Sequence, residues 1–224
     1  MDVELARYNM IEQQIRPWDV LDPQVLELLS VVRREDFVPP AHRALAFVDM
    51  QIPLRPGEAA ISRGQVMLEP RVEARMLQDL QVRKHEKVLE IGTGSGFMAA
   101  LLGQQAQRVL TLEVDDGLAD TARQNLQKAG ALNVEVRVAN GASTDLSAHG
   151  PFDVIVLSGS VAAVPDHLLA LLNPGGRLMG IVGEEPMMRA TLVQSAGSGF
   201  VTTQPWDTVA PRLQGFPEPA RFSF

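Results

Sequence analysis

Three glycines and two acids stand at spacings that could hold a small charged ligand. In Val88-Leu89-Glu90-Ile91-Gly92-Thr93-Gly94-Ser95-Gly96-Phe97, glycines recur between an apolar run and a helical pattern. A turn of this kind needs positive φ at some positions and no Cβ where a ligand approaches the backbone. The helix that follows turns its free N–H groups toward any anion held at the bend. Glu90 sets an acid just before the loop, and Glu113 sets a second at the end of the next apolar run. In an open α/β sheet a carboxylate about twenty residues past the loop can accept both hydroxyls of a ribose.

The same residues discriminate among ligands. A P-loop ends in Gly-Lys-Ser/Thr, and no lysine lies between Lys87 and Lys128. A dinucleotide fold prefers glycine where Phe97 stands, because helix and strand must pack closely there. Gly-x-Gly-x-Gly after an acid suits S-adenosylmethionine, which brings an ammonium and a carboxylate in place of a pyrophosphate. Glu90 is then expected to face the ammonium, directly or through water. Gly92, Thr93, Gly94, Ser95 and Gly96 are read as cofactor-binding, as are Glu113 and its neighbour Val114. Asn140-Gly141 is placed to touch the adenine, although Asn-Gly is also a common turn dipeptide. A ligand-free glycine turn and a merely solvated Glu113 are the plainer alternatives. His42, His85, His149 and His167 show no metal-ligand spacing, and no metal is expected.

The elements that must position these residues are legible from periodicity. Short apolar strands are expected at 87–91, 108–113, 133–139, 152–157 and 177–182, with helices at 97–106 and 115–129. A Leu-rich helix is expected from Pro165 to the break at Asn173-Pro174-Gly175-Gly176. Strands separated by helices imply right-handed crossovers and a parallel sheet. Runs at 190–194 and 200–204, around Ser195-Ala196-Gly197-Ser198-Gly199, suggest a terminal antiparallel hairpin. The fold class is thus α/β, a doubly wound, seven-stranded, mostly parallel Rossmann-like sheet.

Residues 1–80 read as a mainly helical cap on a core at 81–224, the two forming one integrated domain. Val3, Tyr8, Ile11 and Ile15 recur at near-helical spacing, and Asp22-Pro23 reads as an N-cap with proline at the first helical position. A short helix is expected at 41–47, a loop or hairpin at 52–64, and another helix from Pro70 with Val72, Met76, Leu77 and Leu80 on one face. The tail from Pro211 to Phe224 reads as an irregular arm.

Bulk properties narrow the function. The 224 residues carry a net charge of −7, which argues against general affinity for nucleic acid. No apolar run is long enough to span a bilayer, and Met1-Asp2-Val3-Glu4-Leu5 is unlike a signal peptide. The absence of cysteine excludes disulfides and a catalytic thiol. A cytoplasmic monomer without nucleic-acid or membrane partners is the expectation.

The chain resembles the protein-L-isoaspartate O-methyltransferase family over most of its length. The block from Val88 to Phe97 looks like the family's cofactor motif almost letter for letter. Met10-Ile11-Glu12-Gln13-Gln14-Ile15-Arg16, Arg34-Glu35-Asp36-Phe37-Val38-Pro39 and Ala44-Leu45-Ala46-Phe47-Val48-Asp49 match outside the generic methyltransferase core. Pro151-Phe152-Asp153-Val154-Ile155-Val156 and Pro174-Gly175-Gly176-Arg177-Leu178 match inside it. The resemblance implies methylation of the α-carboxylate of isoaspartyl residues in damaged proteins. Such an acceptor is ionised at neutral pH and needs no general base. Its site would lie between the 52–70 loop and Leu157-Ser158-Gly159-Ser160.

The family usually carries Thr-Ile-Ser-Gln-Pro before the cofactor domain, with its serine in the active site. Alignment on proline puts Met67-Leu68-Glu69-Pro70 there, with Leu68 in the serine's place. Alignment on Ala60-Ile61-Ser62 keeps Ser62 as the catalytic candidate but requires an insertion before Pro70. Alternatives to the isoaspartyl reading are a different protein or small-molecule acceptor, a non-catalytic cofactor-binding module, and an NAD-dependent enzyme.

Overall fold

Each central strand sends alternate side chains to opposite faces, and here both faces are apolar. Val88, Val109, Val154 and Val156 enter one buried cluster, whereas Leu89, Leu110, Ile155 and Leu157 enter another. Such strands must be covered on both sides, as in a doubly wound sheet. The computed structural model describes residues 2–218 and has this architecture.

The chain opens with α1 (Val3–Met10), which Asp2 caps, and continues through a π-helical turn and a 3-10 turn. Helix α2 (Pro23–Val31) starts where Asp22 accepts from the Gln24 N–H at 2.8 Å. The short helix expected at 41–47 is a 3-10 helix, Pro40–Leu45. Strand β1 (Ile52–Pro53) pairs antiparallel with β2 (Val66–Met67), and the two bracket α3 (Glu58–Ser62). The segment 52–64 is therefore neither simple loop nor hairpin, since Gly57 and Gly64, both at positive φ, frame a helical turn. Helix α4 (Pro70–Leu80) buries the four apolar residues expected of it.

The sheet contains β3 (Lys87–Ile91), β4 (Arg108–Glu113), β5 (Val134–Val138), β6 (Phe152–Val161), β7 (Leu172–Glu184), β8 (Met187–Ala196) and β9 (Gly199–Asp207). Its order is β5-β4-β3-β6-β7-β8-β9, parallel from β5 through β7 and antiparallel beyond. Helices α5 (Phe97–Gln105) and α6 (Asp116–Lys128) cross from β3 to β4 and from β4 to β5. The Leu-rich segment after Pro165 gives a much shorter helix than expected, α7 (Asp166–Leu169). Leu168 and Leu169 already supply the buried contact, and β7 begins at Leu172. Asn173 donates to the Asp153 carboxylate at 2.7 Å, so the Asn-Pro-Gly-Gly break is absorbed as a register shift between β6 and β7. Among the described residues no helix is long and apolar enough to cross a membrane. The arm is described only to Glu218, so the expectation for its end lies outside the described residues.

One apolar cluster runs from Met10 in the N-terminal segment to Ala210, so α2 and α4 share a core with α5. Arg34, 1 % exposed, knits the layers together. It pairs with Glu73 of α4 at 2.7 Å, donates to the Leu68 carbonyl at 2.8 Å and lies over the Phe97 ring. Removing one partner of a buried pair strands the other charge, at about 3–5 kcal/mol. Arg34→Ala is therefore expected to lower the melting temperature by roughly 10 °C in a chain of this size, read by calorimetry.

Candidate functional site

The glycine bend leaves the carboxyl end of β3, where the strand order reverses: β4 and β5 lie to one side and β6 to the other. Ligands of open α/β sheets bind at such a switch point. Gly92, Gly94 and Gly96 adopt φ of 94°, 54° and 85°, values that side chains disfavour. The bend is pinned from below, because the Gly92 and Thr93 N–H groups donate to the Leu112 carbonyl at 2.8 and 3.2 Å. Its top is tied to Glu113, which accepts from the Gly94 N–H at 2.8 Å. The same carboxylate accepts from the N–H groups of Val114 and Asp115 at 3.0 and 3.1 Å. Asp115 in turn caps α6 and is bound by Arg55 and Gln65.

Above the bend lies an open cleft. Gly92, Gly94 and Glu113 form its polar side, and Ile91, Leu112, Leu118 and Ala139 give it an apolar wall. Leu54, Gln65 and Leu213 close it from the direction of the N-terminal segment and the arm. A carboxylate for ribose hydroxyls, backbone bared by glycine and an apolar slot for a purine fit S-adenosylmethionine. Phe97 stands where a dinucleotide fold prefers glycine, which sets the bend apart from a dinucleotide site.

Of the residues expected to bind cofactor, Gly92, Gly94, Glu113, Val114 and Gly141 line this cleft. Thr93, Ser95 and Gly96 stand behind it: Ser95 accepts from the Phe97 N–H at 3.3 Å, and Gly96 precedes α5. Asn140 is turned to its own loop, accepting from the Ala142 N–H at 2.9 Å. Glu90 is fully buried at the end of β3 and, among the described residues, is not part of the cleft lining. Thr111 donates to one of its oxygens at 2.6 Å and Ser158 to the other at 2.7 Å. Thr93 joins this chain through a 2.6 Å contact with Thr111. Ser158, which donates to Glu90, does line the cleft.

Burial pushes the Glu90 carboxyl up to about 8, against the two hydroxyl hydrogen bonds that favour its charged form. A group with a raised folded-state pKa binds its proton more tightly in the folded chain. Its contribution is complete below the ordinary carboxylate range and fades as pH rises through about 8. Glu90→Gln is therefore expected to flatten the fall in stability between about pH 5 and pH 8, measured by urea unfolding across that range. An unchanged slope would mean that Glu90 is charged in the folded chain.

Neither candidate for the family's serine reaches the cleft. Leu68 is buried in the core, and only its carbonyl is engaged, by Arg34. Ser62, at the end of α3, is exposed and donates to the Ala59 carbonyl at 3.1 Å. It borders a second, outer groove. Sequence reasoning missed Arg63, Gln65 and the arm residues Arg212, Leu213 and Gln214 as cleft walls. A Cβ on Gly92 would sit 2.7 Å from the Leu213 side chain, and one on Gly159 2.8 Å from it. Both glycines thus make room for the arm, a signal that sequence shows only as missing side chains.

The family profile described as protein-L-isoaspartate(D-aspartate) O-methyltransferase matches residues 6–210. The protein-L-isoaspartate O-methyltransferase 1 of Syntrophobacter fumaroxidans is 37% identical over 203 residues, covering 91% of each chain. That of a Bradyrhizobium species is 38% identical over 190 residues, covering 85% of this chain and 84% of its own. Among solved structures, a Plasmodium falciparum β-aspartate methyltransferase in complex with S-adenosyl-L-homocysteine superposes with a TM-score of 0.77. It is 17% identical and the match covers 96% of this chain and 99% of its own, a likeness of fold. With the profile matched from α1 to the start of the arm, and relatives above one-third identity along nearly whole chains, this chain belongs to the protein-L-isoaspartate(D-aspartate) O-methyltransferase family.

Proposed function

We propose that this enzyme transfers the methyl group of S-adenosylmethionine to the α-carboxylate of isoaspartyl residues in damaged proteins. The observation that carries the reading is the chemistry of the cleft. Its only carboxylate, Glu113, is held by backbone N–H groups, and among the described residues its lining has no histidine, cysteine or lysine. A site without a general base suits an acceptor that is already ionised near pH 7.

When bound, S-adenosylmethionine would supply a methyl group on a sulfonium; an ionised oxygen forms the new bond to that carbon in line as the carbon–sulfur bond breaks, so S-adenosylhomocysteine leaves and no proton is transferred. The residues of this chain bind, orient and exclude water. Glu113 would hold the ribose, and Ile91, Leu112, Leu118 and Ala139 would shelter the adenine. Gln65 and the arm at Leu213 and Gln214 narrow the far end, where the acceptor must enter. Residues 1–80 contribute that outer wall, as a substrate-side extension of the cofactor core at 81–224. We read the chain as a cytoplasmic monomer whose partner is the damaged protein or peptide, without nucleic acid.

One observation favours a second reading, the same transfer to a different acceptor: neither Ser62 nor Leu68 lines the cleft. Tritiated S-adenosylmethionine decides between them. Label is expected on an isoaspartyl peptide and not on its aspartyl isomer; label on neither, with cofactor binding intact, would favour the second.

A further inference from the structure

The cleft and the outer groove meet at five shared residues: Arg63, Gly64, Arg212, Leu213 and Gln214. Two strands of chain, distant in sequence, build this neck. Gln214 donates to the Arg63 carbonyl at 3.1 Å, and a Cβ on Gly64 would sit 2.9 Å from Pro211 and 3.3 Å from the Arg212 carbonyl. Arg63 and Arg212 are the only cations in the cleft lining among the described residues. Arg63 is exposed and, among the described residues, makes no ion pair. Arg212 uses Nε for Glu218 at 3.1 Å, while its Nη1 is enclosed with no hydrogen-bond acceptor among the described residues.

An enclosed guanidinium N–H without an acceptor is costly, so a ligand that supplies an acceptor there is favoured. A carboxylate entering the neck gives up part of its water and needs a countercharge. We propose that Arg63 and Arg212 form the carboxylate-binding site of the acceptor, holding the reacting α-carboxylate at the neck between groove and cleft. A guanidinium engages carboxylate oxygens along a planar fork, so the group is fixed in direction as well as drawn in. The assignment rests on the proposed isoaspartyl acceptor and names the residues that select for its charge.

The test compares two peptides of one sequence, one carrying isoaspartate and the other its neutral α-carboxamide analogue. Both are titrated calorimetrically into the full chain saturated with S-adenosylhomocysteine. The unaltered protein is expected to prefer the carboxylate by at least about tenfold. In the Arg63→Gln/Arg212→Gln double variant that preference should shrink to within about twofold, while Arg212→Lys, which keeps the charge and loses the planar fork, should retain only part of it. Thermal unfolding of each variant checks that the neck is still folded, and Arg63→Gln alone covers the case where Arg212 is needed for folding. A preference that survives in the double variant, or is undiminished in Arg63→Gln when only that variant folds, would overturn the arginine assignment. If the unaltered protein binds neither peptide, the isoaspartyl acceptor falls, and this site with it.

Discussion

Replacing Glu113 with alanine is expected to weaken S-adenosylmethionine binding by about a hundredfold, equivalent to roughly 2.7 kcal/mol. Two hydrogen bonds from ribose hydroxyls to a carboxylate are worth about 1.5–3 kcal/mol each. The change also frees the Gly94 N–H that Glu113 accepts at 2.8 Å, loosening the bend that faces the ligand. Glu113→Gln keeps the shape and loses the charge, so it should fall between the two. Calorimetric titration with S-adenosylmethionine gives the ranking directly. Unchanged affinity in the alanine variant would mean that the ribose lies elsewhere.

Gly94→Val is the second large effect, a loss of cofactor affinity of at least about tenfold. At φ 54° the backbone is left-handed, which strains any β-branched residue. The added side chain would also start 3.3 Å from Leu54, at a position that lines the cleft. Gly130→Val separates these causes, since Gly130 has φ 71° with open space around it, far from the cleft. It should cost stability and leave cofactor titration unchanged. Equal losses of affinity in the two variants would indicate a general effect of strain.

These two residues belong to the part of the site that is local in sequence. A strand, a glycine turn and a helix start within ten residues, and Glu113 closes the next strand, so short-range patterning suffices to place them. The same holds for the Asp22 cap of α2 and for the buried stripe of α4. Glu90 shows a finer signal that went unused. It shares the parity of Val88, which faces the cluster under α5, so strand alternation already turns its side chain beneath the loop. The short α7 has a similar lesson: two buried leucines and an Asn173–Asp153 contact allow β7 to begin early, and neither is a matter of helical period.

The acceptor end was not legible, because it is assembled from segments far apart. Leu213 leans on Gly92 and Gly159, and Gln214 holds the loop at Arg63. Nothing in the composition of an irregular, proline-containing arm says which glycines it will cover. The two alignments around the missing serine likewise could not be separated by sequence. Arg34 holds the Leu68 carbonyl inside the core, while α3 carries Ser62 to the outer groove.

A crystal structure with S-adenosylhomocysteine tests the central claim most directly. The ribose hydroxyls should lie within hydrogen-bond distance of the Glu113 carboxylate, with the adenine against Ile91 and Leu112 and the sulfur directed toward the neck at Arg63 and Arg212. A nucleoside bound away from Glu113, or a sulfur pointing away from that neck, would contradict it.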